Sequence, residues 1–166
     1  MLTDMLNSMS PHPAQIRVAL KALELGLSIE RGRIWCSDIE LSVSAVARAL
    51  GIDRRAVNAA IEFIEGDKEL SRVFSKLRPI ASFKELAPVI GWGVIEIVPE
   101  DPRKPGILAG VSAKIAEKGI SIRQTIADDP DLKEDPKLFV ITETPVPPIL
   151  ILEIKKVKGV KSIVLW

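Results

Sequence analysis

Residues 94–122 read VIEIVPEDPRKPGILAGVSAKIAEKGISI, and the change of period inside this stretch decides the fold. VIEIV is a short β-rich run, and PEDPRKPG is a turn. Ile107, Leu108, Val111 and Ile115 then recur at helical spacing until Gly119 ends the helix. Outward from this stretch, residues 120–127 predict a strand, the polar DDPDLKEDP over 128–136 a loop, and KLFVITET over 137–144 another strand. Residues 147–159 predict a helix opened by proline, and VKSIVLW over 160–166 a last strand. The order is βαββαβ, which favours an antiparallel four-stranded sheet with both helices on one face, the ferredoxin-like arrangement. On the strand over 120–127, simple alternation places Ile120, Ile122 and Ile126 on one face and Ser121, Arg123 and Thr125 on the other.

The N-terminal half has a different period. Pro13 opens a helix whose Ile16, Leu20, Leu23 and Leu27 share a face, and residues 28–41 read as irregular. Residues 42–67, SVSAVARALGIDRRAVNAAIEFIEGD, read as helix, tight turn, helix. Gly51 supplies the left-handed exit, Asp53 caps the second helix, and small Ala47 lets the helices approach over Val57. Residues 67–78 predict one more helix. Prolines and glycines over 79–92 mark a connection. The expected fold class is therefore α+β: a helical domain over 1–78, a linker over 79–92 and a βαββαβ domain over 93–166.

Composition bounds the chemistry. Apolar residues make up 47% of the 166 and charged residues 27%, enough for packed cores and a wet surface. Net charge is +1, so a DNA-binding face has to be local. The opening residues show no basic segment followed by a long apolar run, and no stretch is long enough to span a bilayer, so the expected location is the cytoplasm. Cys36 is the only cysteine, more in keeping with a small buried hydrophobe than a nucleophile, and His12 the only histidine. No multi-thiolate zinc site, histidine triad, P-loop or dinucleotide fingerprint can be assembled from this chain. Neither catalysis nor a cofactor is expected. The acidic loop Asp128–Asp135 lacks calcium-loop spacing, so no metal is expected there.

Two stretches resemble known families. The spacing of Ala47, Gly51 and Val57 resembles the helix-turn-helix of bacterial and archaeal DNA-binding proteins. That resemblance implies that Arg54, Arg55 and Asn58 face double-stranded DNA, since arginine suits guanine, asparagine suits adenine, and either can bind phosphate. Their alternative reading is as solvated first-turn residues of a helical hairpin, with Glu62 and Glu65 set to repel phosphate. Residues 94–122, through P-G-I-L and A-E-K-G-I-S-I, resemble the opening of an ACT domain. Together the halves look like the archaeal predicted regulators of amino acid metabolism that carry an ACT domain. The resemblance implies a homodimer or larger homo-oligomer that binds a small effector, an amino acid above all. The effector would lie between the first loop, Asp101, Pro105, Gly106, Ile107 and Leu108, and the second strand, Ser121, Ile122 and Arg123, of a neighbouring module. The loop is longer than the usual Asp-x-Pro-Gly, and Ser121 stands where many members have asparagine. Arg123 reads equally as a ligand anchor or as one half of a surface ion pair. A protein-docking regulatory subunit of a biosynthetic enzyme is the alternative function.

Overall fold

The structure, a computed structural model, describes residues 12–166; the opening segment read as lacking an export signal lies almost wholly outside them. The chain is mixed α+β and divides into two units, Met1–Ala81 and Ser82–Trp166. Among the described residues there are seven helices and two antiparallel sheets. None of these helices is long and apolar enough to cross a membrane.

The first unit starts with helix α1 (Pro13–Leu25), with proline in the first turn where its missing N–H costs nothing. Its buried residues are Val18, Ala19 and Ala22, while Leu20 is exposed. The buried face is therefore rotated from the one the leucine spacing suggested, and small residues lie where α1 meets the helix Arg54–Gly66. Residues 28–41, expected to be irregular, form a three-stranded meander: β1 (Ser28–Glu30), β2 (Arg33–Cys36) and β3 (Ile39–Leu41). Ile29 pairs with Ile34 and both are buried, so this small sheet has one packed face. Helix α2 (Val43–Leu50) follows, capped by Ser42, whose hydroxyl accepts from the Ala45 N–H at 3.2 Å. After the turn, Asp53 accepts from the Arg55 N–H at 2.8 Å and starts α3 (Arg54–Gly66). Ala47 and Val57 are both buried at the junction of these two helices. Helix α4 (Lys68–Phe74) closes the unit with Leu70 and Phe74 buried.

The second unit does not begin at residue 93. Short helix α5 (Leu86–Val89) belongs to it, with Ala87 fully buried against Val94, Phe139 and Ile141 and with Phe83 and Trp92 packed alongside. Most of the stretch expected to connect the halves thus covers part of a sheet face. The sheet comprises β4 (Gly93–Pro99), β5 (Ile122–Ala127), β6 (Leu138–Thr142) and β7 (Val160–Leu165) in the order β5-β6-β4-β7, all neighbours antiparallel. Helices α6 (Ile107–Glu117) and α7 (Pro148–Ile154) bury Val111, Ile115, Leu150 and Ile154 with Ile95, Ile97 and Val140 of the sheet. Each such aliphatic side chain contributes about 1.5–3 kcal/mol by leaving water.

One strand departs from simple alternation. The register of β5 against β6 shifts between Ile122 and Gln124. Ile120 and Ile122 pack into the helix-side core, but Ile126 packs against the Ala87, Val94, Phe139 and Ile141 cluster on the opposite side. The single-face placement of Ile120, Ile122 and Ile126 is corrected accordingly, because an extra residue on one strand reverses every later side chain.

Candidate functional site

A cleft of about 310 Å³ opens where β4 leaves the sheet. Pro99, Pro102 and Pro105 stiffen its loop, and Gly106, with φ +98°, turns the chain into α6. Ile107 and Leu108 line the cleft together with Ala127, Asp128, Pro136 and Lys137 from the far end of β5 and the start of β6. The first turn of α6 carries no acidic residue and no side-chain cap. Its leading N–H groups and the positive end of its dipole therefore favour an anion. Lys104 and Lys158 flank this end, around a second, adjoining depression that also includes Gly110 and Val157.

The acids nearby are largely committed. Asp128 Oδ2 accepts from the Lys137 N–H at 3.1 Å, and Asp131 pairs with Arg103 at 2.5 Å. Asp129 Oδ1 accepts from the Asp131 N–H at 2.7 Å. No group of three or more histidine, cysteine, aspartate or glutamate residues placed to hold a metal occurs among the described residues.

The expected ligand residues split into two sets. Pro105, Gly106, Ile107 and Leu108 lie together on the cleft. Asp101 does not line it: its carboxylate turns back to accept from the Arg103 N–H at 3.0 Å and shapes the loop. Ser121, Ile122 and Arg123 lie at the other end of the sheet, near Thr142 and Glu143. The cause is topological. Strands β4 and β5 both run antiparallel to β6, so α6 carries the chain from the end of β4 back to the start of β5. The length of β5, about 17 Å at ~3.3 Å per residue, therefore separates the two sets within one chain. Ile122 is packed into the core. Arg123 pairs with Glu143 at 3.0 Å and lies 5.0 Å from the centre of the Trp92 ring. The acid of that ion pair is thus Glu143. From the sequence, Asp128 stands out only as part of an acidic metal loop, and Lys104 is passed over although it directly precedes Pro105; Lys137 and Lys158 are not singled out because only the fold of the chain brings them to the helix start.

The helix-turn-helix candidates Arg54, Arg55 and Asn58 are all exposed on the first turns of α3. Glu65, further along α3, accepts from the Gly32 N–H at 2.8 Å and ties α3 to the β1–β2 turn. Between α1 and α2 lies an open, mainly apolar groove of about 420 Å³, lined by Leu25, Leu27, Leu41, Val46 and Leu50. No protein-family model matches this chain, and no curated protein is matched by its sequence.

The sheet face away from α6 and α7 carries an unusual charge. Glu96, only 5% exposed, accepts from Lys137 Nζ at 2.8 Å and from the Trp166 indole N–H at 3.0 Å. Burial pushes its carboxyl up, but those two hydrogen bonds and the charges of Lys137 and Lys84 outweigh burial and hold it below the usual value. A depressed carboxylate contributes stability above its unfolded pKa and loses it as pH falls through the folded one. Glu96→Gln is thus expected to melt lower than the wild type at pH 7, with the gap closing as pH falls from the usual carboxylate range through the lowered pKa of the folded state. Thermal melts across pH 3–8 check this; parallel curves at every pH contradict it.

Proposed function

We propose that this chain is a cytoplasmic, ligand-responsive regulator of amino acid metabolism, with an ACT-like C-terminal sensor and an N-terminal helix-turn-helix directed at DNA. The observation that carries the reading is the cleft at the start of α6, set on a sheet whose order β5-β6-β4-β7 and two same-face helices fit the ferredoxin-like arrangement. Architecture alone assigns no function, so the weight rests on the cleft. Backbone N–H groups at a helix start, two flanking lysines and apolar walls from Ile107 and Leu108 suit a small molecule with one carboxylate and an apolar body.

In this reading two copies pair. The Ser121–Arg123 end of one sheet then approaches the cleft of the other, which reunites what one chain holds apart. Both sheet edges, β5 and β7, are unpaired within the unit and are available for such an arrangement.

A thermal-shift screen of the twenty amino acids tests it, since a ligand selective for the folded state raises the melting temperature with concentration. At least one free amino acid should stabilise the protein, and its carboxamide should not. Lys104→Glu should weaken that response about tenfold or more by reversing a charge beside the carboxylate. Light scattering at micromolar concentration must return a dimer or larger. A monomer, or a flat screen, sinks the reading.

The apolar groove between α1 and α2 supports a second reading, in which the N-terminal unit docks onto a biosynthetic enzyme. DNA binding by the purified protein separates the two.

A further inference from the structure

The segment ahead of β4 carries Lys84, whose ammonium nitrogen lies 4.0 Å from the centre of the Phe139 ring and 4.2 Å from that of Trp166. Beside these rings stands the Glu96 carboxylate, fixed by Lys137 on one oxygen and by the Trp166 indole on the other. Two aromatic faces converging on one cation, with a carboxylate held nearby, are the elements by which proteins enclose organic ammonium ions.

The cation enclosed here is the chain's own, yet the segment has other anchors. The Phe83 N–H donates to Gln124 Oε1 at 2.8 Å, Ala87 is fully buried, and Phe83 meets Trp92 edge to face at 6.1 Å between ring centres. Lys84 is therefore not what holds the segment down. Trp166 is 53% exposed, which leaves its side of the enclosure open to solvent.

We infer that Phe139, Trp166 and Glu96 form a binding site for an organic ammonium group, and that Lys84 occupies it as a tethered internal competitor. A tethered group acts at an effective concentration in the millimolar range, so a free ammonium ion binds the intact protein only weakly. Removing the Lys84 amine should unmask the site. The rings of this site lie on the sheet face away from α6 and α7, while Lys137, which fixes Glu96, also lines the α6 cleft; the ammonium inference does not require the regulatory reading.

The test titrates the full-length wild type and Lys84→Ala with choline chloride and with the neutral carbon isostere of choline. The indole N–H resonance of Trp166 is followed by NMR. Lys84→Ala should show a saturable shift with choline, tighter than the wild type by about tenfold or more, and none with the neutral isostere. Lys84→Gln, which keeps most of the stem and drops the charge, should also bind more tightly than the wild type. Adding Trp166→Leu to Lys84→Ala should abolish the response, read then from backbone amide shifts of Phe139 and Glu96. A folded Lys84→Ala protein that does not respond, responds equally to the isostere, or binds no more tightly than the wild type overturns the inference.

Discussion

Replacing Arg54 and Arg55 together by alanine is expected to lower DNA affinity by about 100-fold or more, with the melting temperature unchanged. Neither side chain supports the fold. Both are exposed, the Arg55 side chain by 95%, and its approach to Asp53 is a loose 3.7 Å. The Asp53 carboxylate serves the helix instead, by accepting from the Arg55 backbone N–H, and that bond survives the substitution. On DNA the same residues stand at the leading end of α3, with Asn58 one turn further on. Each arginine held against a base edge or phosphate is worth about 1–3 kcal/mol, so removing two costs at least two orders of magnitude at the middle of that range. The slope of log affinity against log salt should also flatten by about one for each phosphate that no longer meets an arginine. Gel-shift or anisotropy titrations against genomic fragments at several salt concentrations measure both. A double variant that binds as tightly as the wild type removes α3 from the interface. A wild type that binds no fragment favours the docking reading of the N-terminal unit.

What was legible in the sequence follows from the range over which each signal acts. Ala47, Gly51 and Val57 are local, and the structure buries Ala47 and Val57 at the helix junction as their spacing predicts. The alternation of strand and helix periods over 93–166 also sufficed to order the elements from β4 onward, though not α5 ahead of them. Periodicity failed where elements were too short to show it. Each strand of the 28–41 meander has only three or four residues, and its turns rest on positive φ at Arg31, Gly32 and Ser37, two of which are not glycine. The shift at Ile122/Gln124 was invisible because strict alternation has no means of registering an extra residue. At the site, Pro105 to Leu108 are contiguous and could be read together, whereas Lys137 and Lys158 reach their places only through the sheet. Glu96 did leave a trace: a lone charge inside VIEIV, facing away from Ile95 and Ile97. That is where the structure places the fixed carboxylate.

Gly26→Ala is expected to destabilise the N-terminal unit by about 3–5 kcal/mol, against about 1 kcal/mol for Gly51→Ala, although the two glycines look alike in the sequence. Each follows a helix in the left-handed conformation, with φ of +66° at Gly26 and +62° at Gly51. Each is followed by a residue whose N–H returns to the helix, Leu27 to the Ala22 carbonyl at 2.8 Å and Ile52 to the Ala47 carbonyl at 3.0 Å. The backbone strain of adding a side chain is therefore shared. The surroundings differ. A Cβ at Gly51 would meet nothing within 4 Å, whereas one at Gly26 would lie 2.3 Å from the Arg78 carbonyl oxygen and 2.9 Å from the Pro79 nitrogen. Those atoms are backbone, next to a proline ring that restricts φ, so relief requires moving the chain after α4 away from α1. For a unit whose whole stability is on the order of 5–15 kcal/mol, that loss populates the unfolded state measurably. Urea melts of the two variants isolate the term, since the strain common to both cancels in their difference. Equal midpoints would mean that the Arg78–Pro79 segment yields freely. A large gap would establish the close approach of α1 to this segment as a fixed element of the unit that presents α3.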